Sequence, residues 1–240
     1  PGDTVICLLD SFALNLCAWF AIWRLGCNLA ASASVENFSG SGVRIDAALM
    51  SSDQTCGTAR QLLFDQSWMD ADVEVLPPVL AGSIYFPTTH TPRDLSVLRM
   101  TPDQLVEDAR IYDATLGGGH GAAYLSTPVD SMRSFRDVLR AFQAGRAVLG
   151  PDVPLDQAWQ AIQRAGATEL FVAPMSLHKL TEAASAAGGA DVIKRVFVGT
   201  GTAQQNMLKR AIGVFSGARF DLAAGTPETS FYAHKIYDPD

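Results

Sequence analysis

Cysteine is scarce, base is outnumbered by acid, and no apolar run is long enough to cross a bilayer. Four cysteines, Cys7, Cys17, Cys27 and Cys56, are too few and too widely spaced for a disulfide framework or a CxxC zinc site, so they read as reduced thiols of a cytoplasmic protein. Lys and Arg number 18 against 25 Asp and Glu, a formal net charge of −7. With no overall basic field, neither nucleic acid nor an anionic membrane is an expected partner. The most apolar stretch, Phe12 to Leu25, is about 14 residues long and contains Asn15 and Arg24, whereas a membrane helix needs about 20. It reads as a buried helix. No basic segment precedes it, which argues against a signal peptide. His90, His120, His178 and His234 show no metal-ligand spacing, and no serine sits in GxSxG. Gly117-Gly118-Gly119-His120-Gly121 lacks the Lys and Ser/Thr of a nucleotide P-loop. The chain opens on Pro1-Gly2-Asp3 without Met, so more N-terminal sequence is expected upstream.

What is present is core-forming. With 240 residues and 48% hydrophobic content, the chain can bury one large core or two modest ones without metals or disulfides. Thr4 to Leu9 reads as a strand, Asp10-Ser11 as helix-cap candidates, Phe12 to Leu25 as a helix ended by Gly26, and Cys27 to Ala30 as a second parallel strand. Arg44 to Met50 and Gly82 to Phe86 read as strands, with a helix expected over Asp53 to Phe64 between them. Thr101-Pro102-Asp103-Gln104 is a capping box with Pro at the first helical position, followed by Leu105, Ala109, Tyr112 and Leu116 at helical spacing. Ala122 to Leu125 and Ala147 to Leu149 read as strands. Phe135, Val138, Leu139 and Phe142 form one face of a helix between them. In the last third, Leu155, Ala158, Trp159 and Ile162 mark a helix closed by Gly166. Strands at Glu169 to Ala173, Arg195 to Gly199 and Arg219 to Ala223 then alternate with helices at Leu177 to Ala187 and Ala203 to Phe215. That alternation predicts a three-layer α/β domain with largely parallel sheets flanked by helices. It is read as one domain over 1–240, with 1–86 and 87–240 as candidate subdomains.

In parallel α/β sheets ligands bind beyond the carboxyl ends of the strands, so chemistry is expected in the loops after Phe86, Leu125, Ala173, Gly199 and Ala223. The loop Pro87-Thr88-Thr89-His90-Thr91-Pro92-Arg93 offers hydroxyls and a cation to a phosphate. Gly199-Thr200-Gly201-Thr202 lets a flat or anionic ligand approach the backbone. Ala224-Gly225-Thr226-Pro227-Glu228-Thr229 adds a carboxylate. Gly199-Thr200-Gly201 with Asp221 about 20 residues on is also similar to a dinucleotide fingerprint, but Gln204 stands at the third glycine.

In order and spacing these segments resemble the adenylate-forming superfamily of acyl- and aryl-CoA synthetases, peptide-synthetase adenylation domains and luciferases. PGDTVICLLDSFALNLCAWFAIWRLGC looks like the family's early segment, and PTTHTPRDLSV is similar to its phosphate loop SGTTGxPKGV. STPVDSMRSFRDVLRAFQAGRAVL and WQAIQRAGATELFVAPMSLHKL are similar to the segments that follow, VFVGTGTAQ to the "sGGapl" stretch, and LAAGTPETS to "YGxTE". The resemblance implies the fold of that family's large N-terminal domain and ATP-dependent activation of a small carboxylic acid to an acyl-adenylate, with CoA or a carrier protein as the thiol acceptor. Carried over, Thr88, Thr89 and Arg93 would face the β- and γ-phosphates, and Thr200, Gly201 and Thr202 would lie by the adenine. Gly225, Thr226 and Glu228 would lie by the AMP phosphate, Thr226 and Glu228 as catalytic residues and Glu228 as the Mg²⁺ ligand. Asp130, Ser131, Met175 and Gly199 would line the acid pocket with Val129, Met132 and Pro174. Such residue types suit a reaction that builds negative charge on departing pyrophosphate.

Several positions depart from the pattern. Pro87 and His90 replace the phosphate-loop glycines, Ala224 stands at the aromatic position of "YGxTE", Pro227 replaces its Thr, and Ser131 falls where an aromatic or His is usual. The sequence stops at Tyr237-Asp238-Pro239-Asp240, before the lid domain that carries the family's catalytic Lys. Two readings therefore stand side by side: the N-terminal domain of an acid-activating ligase, and a degenerate homologue that binds a ligand or a protein partner without catalysis.

Overall fold

A computed structural model describes residues 1–52, 60–70, 82–88, 96–117, 119, 121–199, 201–226, 228–229 and 233–237. The chain divides into two compact units, Pro1–Glu107 with Val129–Met132, and Asp108–Pro128 with Arg133–Asp240.

The first unit opens with β1 (Thr4–Leu8), α1 (Phe12–Arg24) and β2 (Asn28–Ala30). Ser11 caps α1 by accepting from the Leu14 amide, and Gly26 leaves it at φ 71°. Phe12, Leu16, Trp19, Ile22 and Trp23 are its buried stripe. Asn15, the polar interruption in this apolar run, accepts from the Leu9 amide and donates to the Leu9 carbonyl, so it ties the strand-to-helix turn. The sheet continues with β3 (Ala47–Met50), β4 (Arg60–Leu63), β5 (Ile84–Pro87) and β6 (Val97–Met100), in the order β4-β3-β1-β2-β5-β6. All pairs are parallel except β5 with β6.

Two features of this unit differ from the sequence reading. Arg60 to Leu63, expected within a helix over Asp53 to Phe64, is the edge strand β4, and Asp53 to 59 lie outside the described residues. The Arg60 amide donates to the Asp46 carbonyl and Phe64 to Met50, so pairing with β3 overrides a local pattern that has no apolar face of its own. Strand β6 was not anticipated, because it is a four-residue return strand whose hydrogen bonds come from β5.

Helix α2 (Pro102–Leu116) begins with the expected reciprocal cap: Thr101 Oγ1 accepts from the Gln104 amide, and Gln104 Oε1 accepts from the Thr101 amide. The second unit then runs β7 (Ala122–Leu125), α3 (Met132–Gln143), β8 (Val148–Leu149), α4 (Leu155–Arg164), β9 (Ala167–Val172), α5 (Pro174–Ala187), β10 (Arg195–Val198), α6 (Gln205–Val214), β11 (Arg219–Ala224) and β12 (Ala233–Tyr237). Its sheet has the order β12-β11-β10-β9-β7-β8, parallel except for the β11–β12 pair. Strand β12, also unanticipated, is a return strand at the sheet edge.

Strand alternation gives this second sheet two unlike faces. Tyr124, Leu170, Val172, Val196, Val198 and Phe220 join Trp159, Ile162, Leu177, Leu180, Leu208 and Phe215 from α4, α5 and α6 in an apolar core. The other face presents Glu169 and Phe171 of β9, Arg195 and Phe197 of β10 and Asp221 of β11, which are cross-strand partners. Here α2 and α3 supply Tyr112 and a row of arginines. Arg133 lies 4.5 Å from the Phe197 ring centroid, and Arg140 lies 4.9 Å from Tyr112 and 5.7 Å from Phe171. Of Phe135, Val138, Leu139 and Phe142, the face of α3 read from the sequence, the first three are buried and Phe142 is exposed, and Ser134, Arg136, Asp137 and Arg140 are buried as well.

Candidate functional site

Four neighbouring parallel strands of the second unit, β7, β9, β10 and β11, end side by side, and their loops are the place to build a site. Ser126, after β7, accepts from the Ala173 amide through Oγ, and its own amide donates to the Phe171 carbonyl, which locks the ends of β7 and β9 together. Thr127 is hydrogen-bonded to Ser134 of α3 through their hydroxyls. Pro174 opens α5, where its missing N–H costs nothing, and the next residue, Met175, is 67% exposed.

Gly199 directly follows β10 and is buried. A Cβ at this position would overlap Nη1 of Arg133 and come within 3.2 Å of the Ala223 carbonyl oxygen. Glycine is thus required for a guanidinium to lie against the strand end. Gly201 follows with φ 156°, and a Cβ there would touch the Pro174 ring at 3.5 Å. Gly201 and Thr202 are exposed, as are Gly225, Thr226 and Glu228 beyond β11. The Thr226 amide donates to Thr229 Oγ1 at 3.1 Å and the two hydroxyls lie 3.2 Å apart, which closes a turn that presents Glu228. Replacing Gly199 by alanine is expected to cost about 1–3 kcal/mol by forcing Arg133 out of its seat. Urea denaturation checks this, with a lower midpoint and an unchanged slope as the expected outcome.

The electrostatics behind these loops are dominated by α3. Arg136 pairs with Asp108, Arg140 pairs with Asp113 at 2.9 Å, and Asp137 lies between Arg133 at 3.6 Å and Arg140 at 3.5 Å. Burial pushes the Asp137 carboxyl up against the pull of Arg133, Arg140 and Arg136. Further along the same face, Arg146 pairs with Glu169 at 2.7 Å. Asp221 accepts from Arg195, Arg219 and His234, and Arg195 also donates to the Leu116 and Gly117 carbonyls at the end of α2. These pairs were missed from sequence because arginines at 133, 136 and 140 have the spacing of a solvated helix face.

The other site residues expected from sequence fall in the first unit or outside the described residues. Thr88 follows β5, and both its amide and its hydroxyl donate to the Ser96 carbonyl, at 2.9 and 3.3 Å. Asp130 and Ser131 are half-buried, and burial pushes the Asp130 carboxyl up against the pull of backbone hydrogen bonds that include one from Ala33. Thr89, Arg93, Thr200 and the fourth cysteine, Cys56, lie outside the described residues. Burial raises the Cys7 thiol to about 12, which keeps it protonated and inert. His178 lies 3.7 Å from Glu182 on the same helix, and no group of three or more His, Cys, Asp or Glu that could hold a metal gathers among the described residues. Nor does any described helix have the length and apolarity to cross a membrane.

The sequence matches no protein-family model and no curated protein. The structure is similar to that of o-succinylbenzoate CoA synthetase (MenE) from Bacillus subtilis in complex with AMP, with a TM-score of 0.79 and 16% identity over 98% of this chain and 51% of that one. VinN in complex with L-aspartate gives a TM-score of 0.75 at 16% identity, over 97% of this chain and 65% of that one. A long-chain-fatty-acid-CoA ligase (FadD1) from Archaeoglobus fulgidus gives 0.77 at 13% identity, over 99% and 55%. The chain spans about half the length of the synthetase. Together with two largely parallel sheets flanked by helices, these likenesses show that the chain has the fold of the N-terminal domain of adenylate-forming enzymes.

Proposed function

We propose that the chain is the nucleotide- and acid-binding portion of a ligase that activates a carboxylic acid as an acyl-adenylate for transfer to a thiol of CoA or a carrier protein. The observation that supports this best is the coincidence of fold and loops: the glycine- and threonine-bearing segments stand at the ends of adjacent parallel strands in a fold shared with an AMP-bound synthetase. Gly201, exposed just beyond β10, carries no side chain, so a planar base can approach the backbone there. Gly225 and Thr226 offer a close approach and a hydroxyl to a phosphate, and Glu228 offers one carboxylate to Mg²⁺, a metal that ordinarily takes only one or two from protein and the rest from phosphates and water. Bound ATP·Mg²⁺ supplies the phosphoryl electrophile and the leaving pyrophosphate. The chain's residues orient the acid, exclude water and meet the charge that develops.

A second reading, a binding or interaction module without catalysis, is favoured by Pro87 and Thr88. Pro87 has no N–H, and both Thr88 donors go to Ser96, so neither supplies a donor to a triphosphate. Thermal unfolding with ATP·Mg²⁺ tests nucleotide binding directly. A hundredfold excess over Kd is expected to add about 2.7 kcal/mol, or about 5–10 °C in Tm. No rise at about 1 mM nucleotide would count against both the nucleotide site and the ligase.

A further inference from the structure

Arg133 stands apart from the other two arginines of its helix. Arg136 and Arg140 each reach a carboxylate on α2, whereas the carboxylate beside Arg133 among the described residues is Asp137 at 3.6 Å, which Arg140 shares. Its Nη2 is buried without a hydrogen-bond partner among the described residues, as are Arg136 Nη2 and Arg140 Nη1, but only Arg133 places Nη1 against the bare end of Gly199 and its guanidinium 4.5 Å from the Phe197 ring centroid among the described residues. The side chain as a whole keeps 16% of its surface exposed. A rigid, permanently charged fork with one unpartnered nitrogen, held at the carboxyl end of a parallel strand, is complementary to a carboxylate.

We infer that Arg133 binds a second carboxylate on the acid, so that the substrate class is a dicarboxylic acid rather than a fatty or simple aromatic one. This rests on the acid-activating reading above. The reacting carboxylate is the poorer candidate for Arg133, because a bidentate guanidinium pair holds electron density on the oxygens and weakens their attack on phosphorus. A second carboxylate gains from the same pair without that loss. Exposed Met175, beyond the neighbouring strand β9, belongs to the same set of loops and offers an apolar surface to the part of the acid between its two charges.

The test compares dicarboxylic acids of graded length with their monoamides, which keep one carboxylate and nearly the same shape, by calorimetry at constant ionic strength. The diacid of matching length is expected to bind about 10–100-fold tighter than its monoamide. In Arg133→Met, which retains the packed stem, that ratio is expected to fall below about twofold. The wild-type chain gives an independent readout through phenylglyoxal, an arginine-selective reagent, with peptide mass mapping. The matching diacid is expected to shield Arg133 and its monoamide to leave it open. Equal binding of both acids, equal shielding by both, or an unchanged ratio in the variant overturns the inference. ATP·Mg²⁺ is titrated separately. Nucleotide binding without discrimination between the acids removes the role of Arg133 and leaves the ligase reading intact. Discrimination without nucleotide binding does the reverse.

Discussion

Asp221→Ala is expected to destabilise the protein by about 3–5 kcal/mol, the range for breaking a buried ion pair by removing one partner. Asp221 is 0% exposed and is the single carboxylate on which Arg195, Arg219 and His234 converge, with Arg195 Nε at 2.7 Å and His234 Nε2 at 2.8 Å. Removing it leaves the buried Arg195 guanidinium without its charge partner. Replacing both members by apolar residues, Arg195→Met with Asp221→Leu, is expected to recover only part of the loss, because Arg195 also serves the Leu116 and Gly117 carbonyls. The pH dependence has a defined sign. Burial raises the Asp221 carboxyl, but Arg195, His234 and Arg219 together outweigh it and hold the group below the usual carboxylate range. A depressed folded value contributes stability that is fully present above the unfolded value, near about 4, and is lost as pH falls through the folded value. Denaturation series at several pH values should show a steeper loss of stability below about pH 4 in the wild type than in Asp221→Ala.

Trp159→Ala is expected to cost about 3–5 kcal/mol for a different reason, the cavity left by a large side chain in a close-packed core. Trp159 is 1% exposed, lies 5.8 Å from the Phe215 ring centroid, and donates through Nε1 to the Gly188 carbonyl at 3.2 Å, where α5 ends. The truncation removes apolar burial on α4, a ring contact with the residue that ends α6, and a partner for a helix-end carbonyl. Trp159→Phe should recover the larger part, since only the hydrogen bond and the outer ring are lost. Chemical denaturation of the three proteins checks the order.

Legibility in the sequence followed the physics of each element. Helices α1 and α4 and the strands β9, β10 and β11 were readable because each has its own signal: a cap at Ser11, a stripe at Leu155, Ala158, Trp159 and Ile162, and apolar runs at a regular interval. Strands β4, β6 and β12 were not, since each is short, edge-placed and stabilised by backbone bonds to a neighbour distant in sequence or across a turn. In the candidate site, glycine marks a close approach at 199, to Arg133, and at 201, to the Pro174 ring. The placement of Arg133 was not legible, because a charged residue on a helix looks the same whether it faces water or a sheet. Only the three-dimensional contact with Phe197 and the missing Cβ of Gly199 separate the two cases.

Whether these loops belong to an acid-activating enzyme is decided by ATP–pyrophosphate exchange on the full-length gene product with a panel of carboxylic acids. Exchange well above the acid-free background for at least one acid is the expected result. Background exchange with every acid, from a protein that carries a lid domain, would contradict the ligase and leave the binding module in its place.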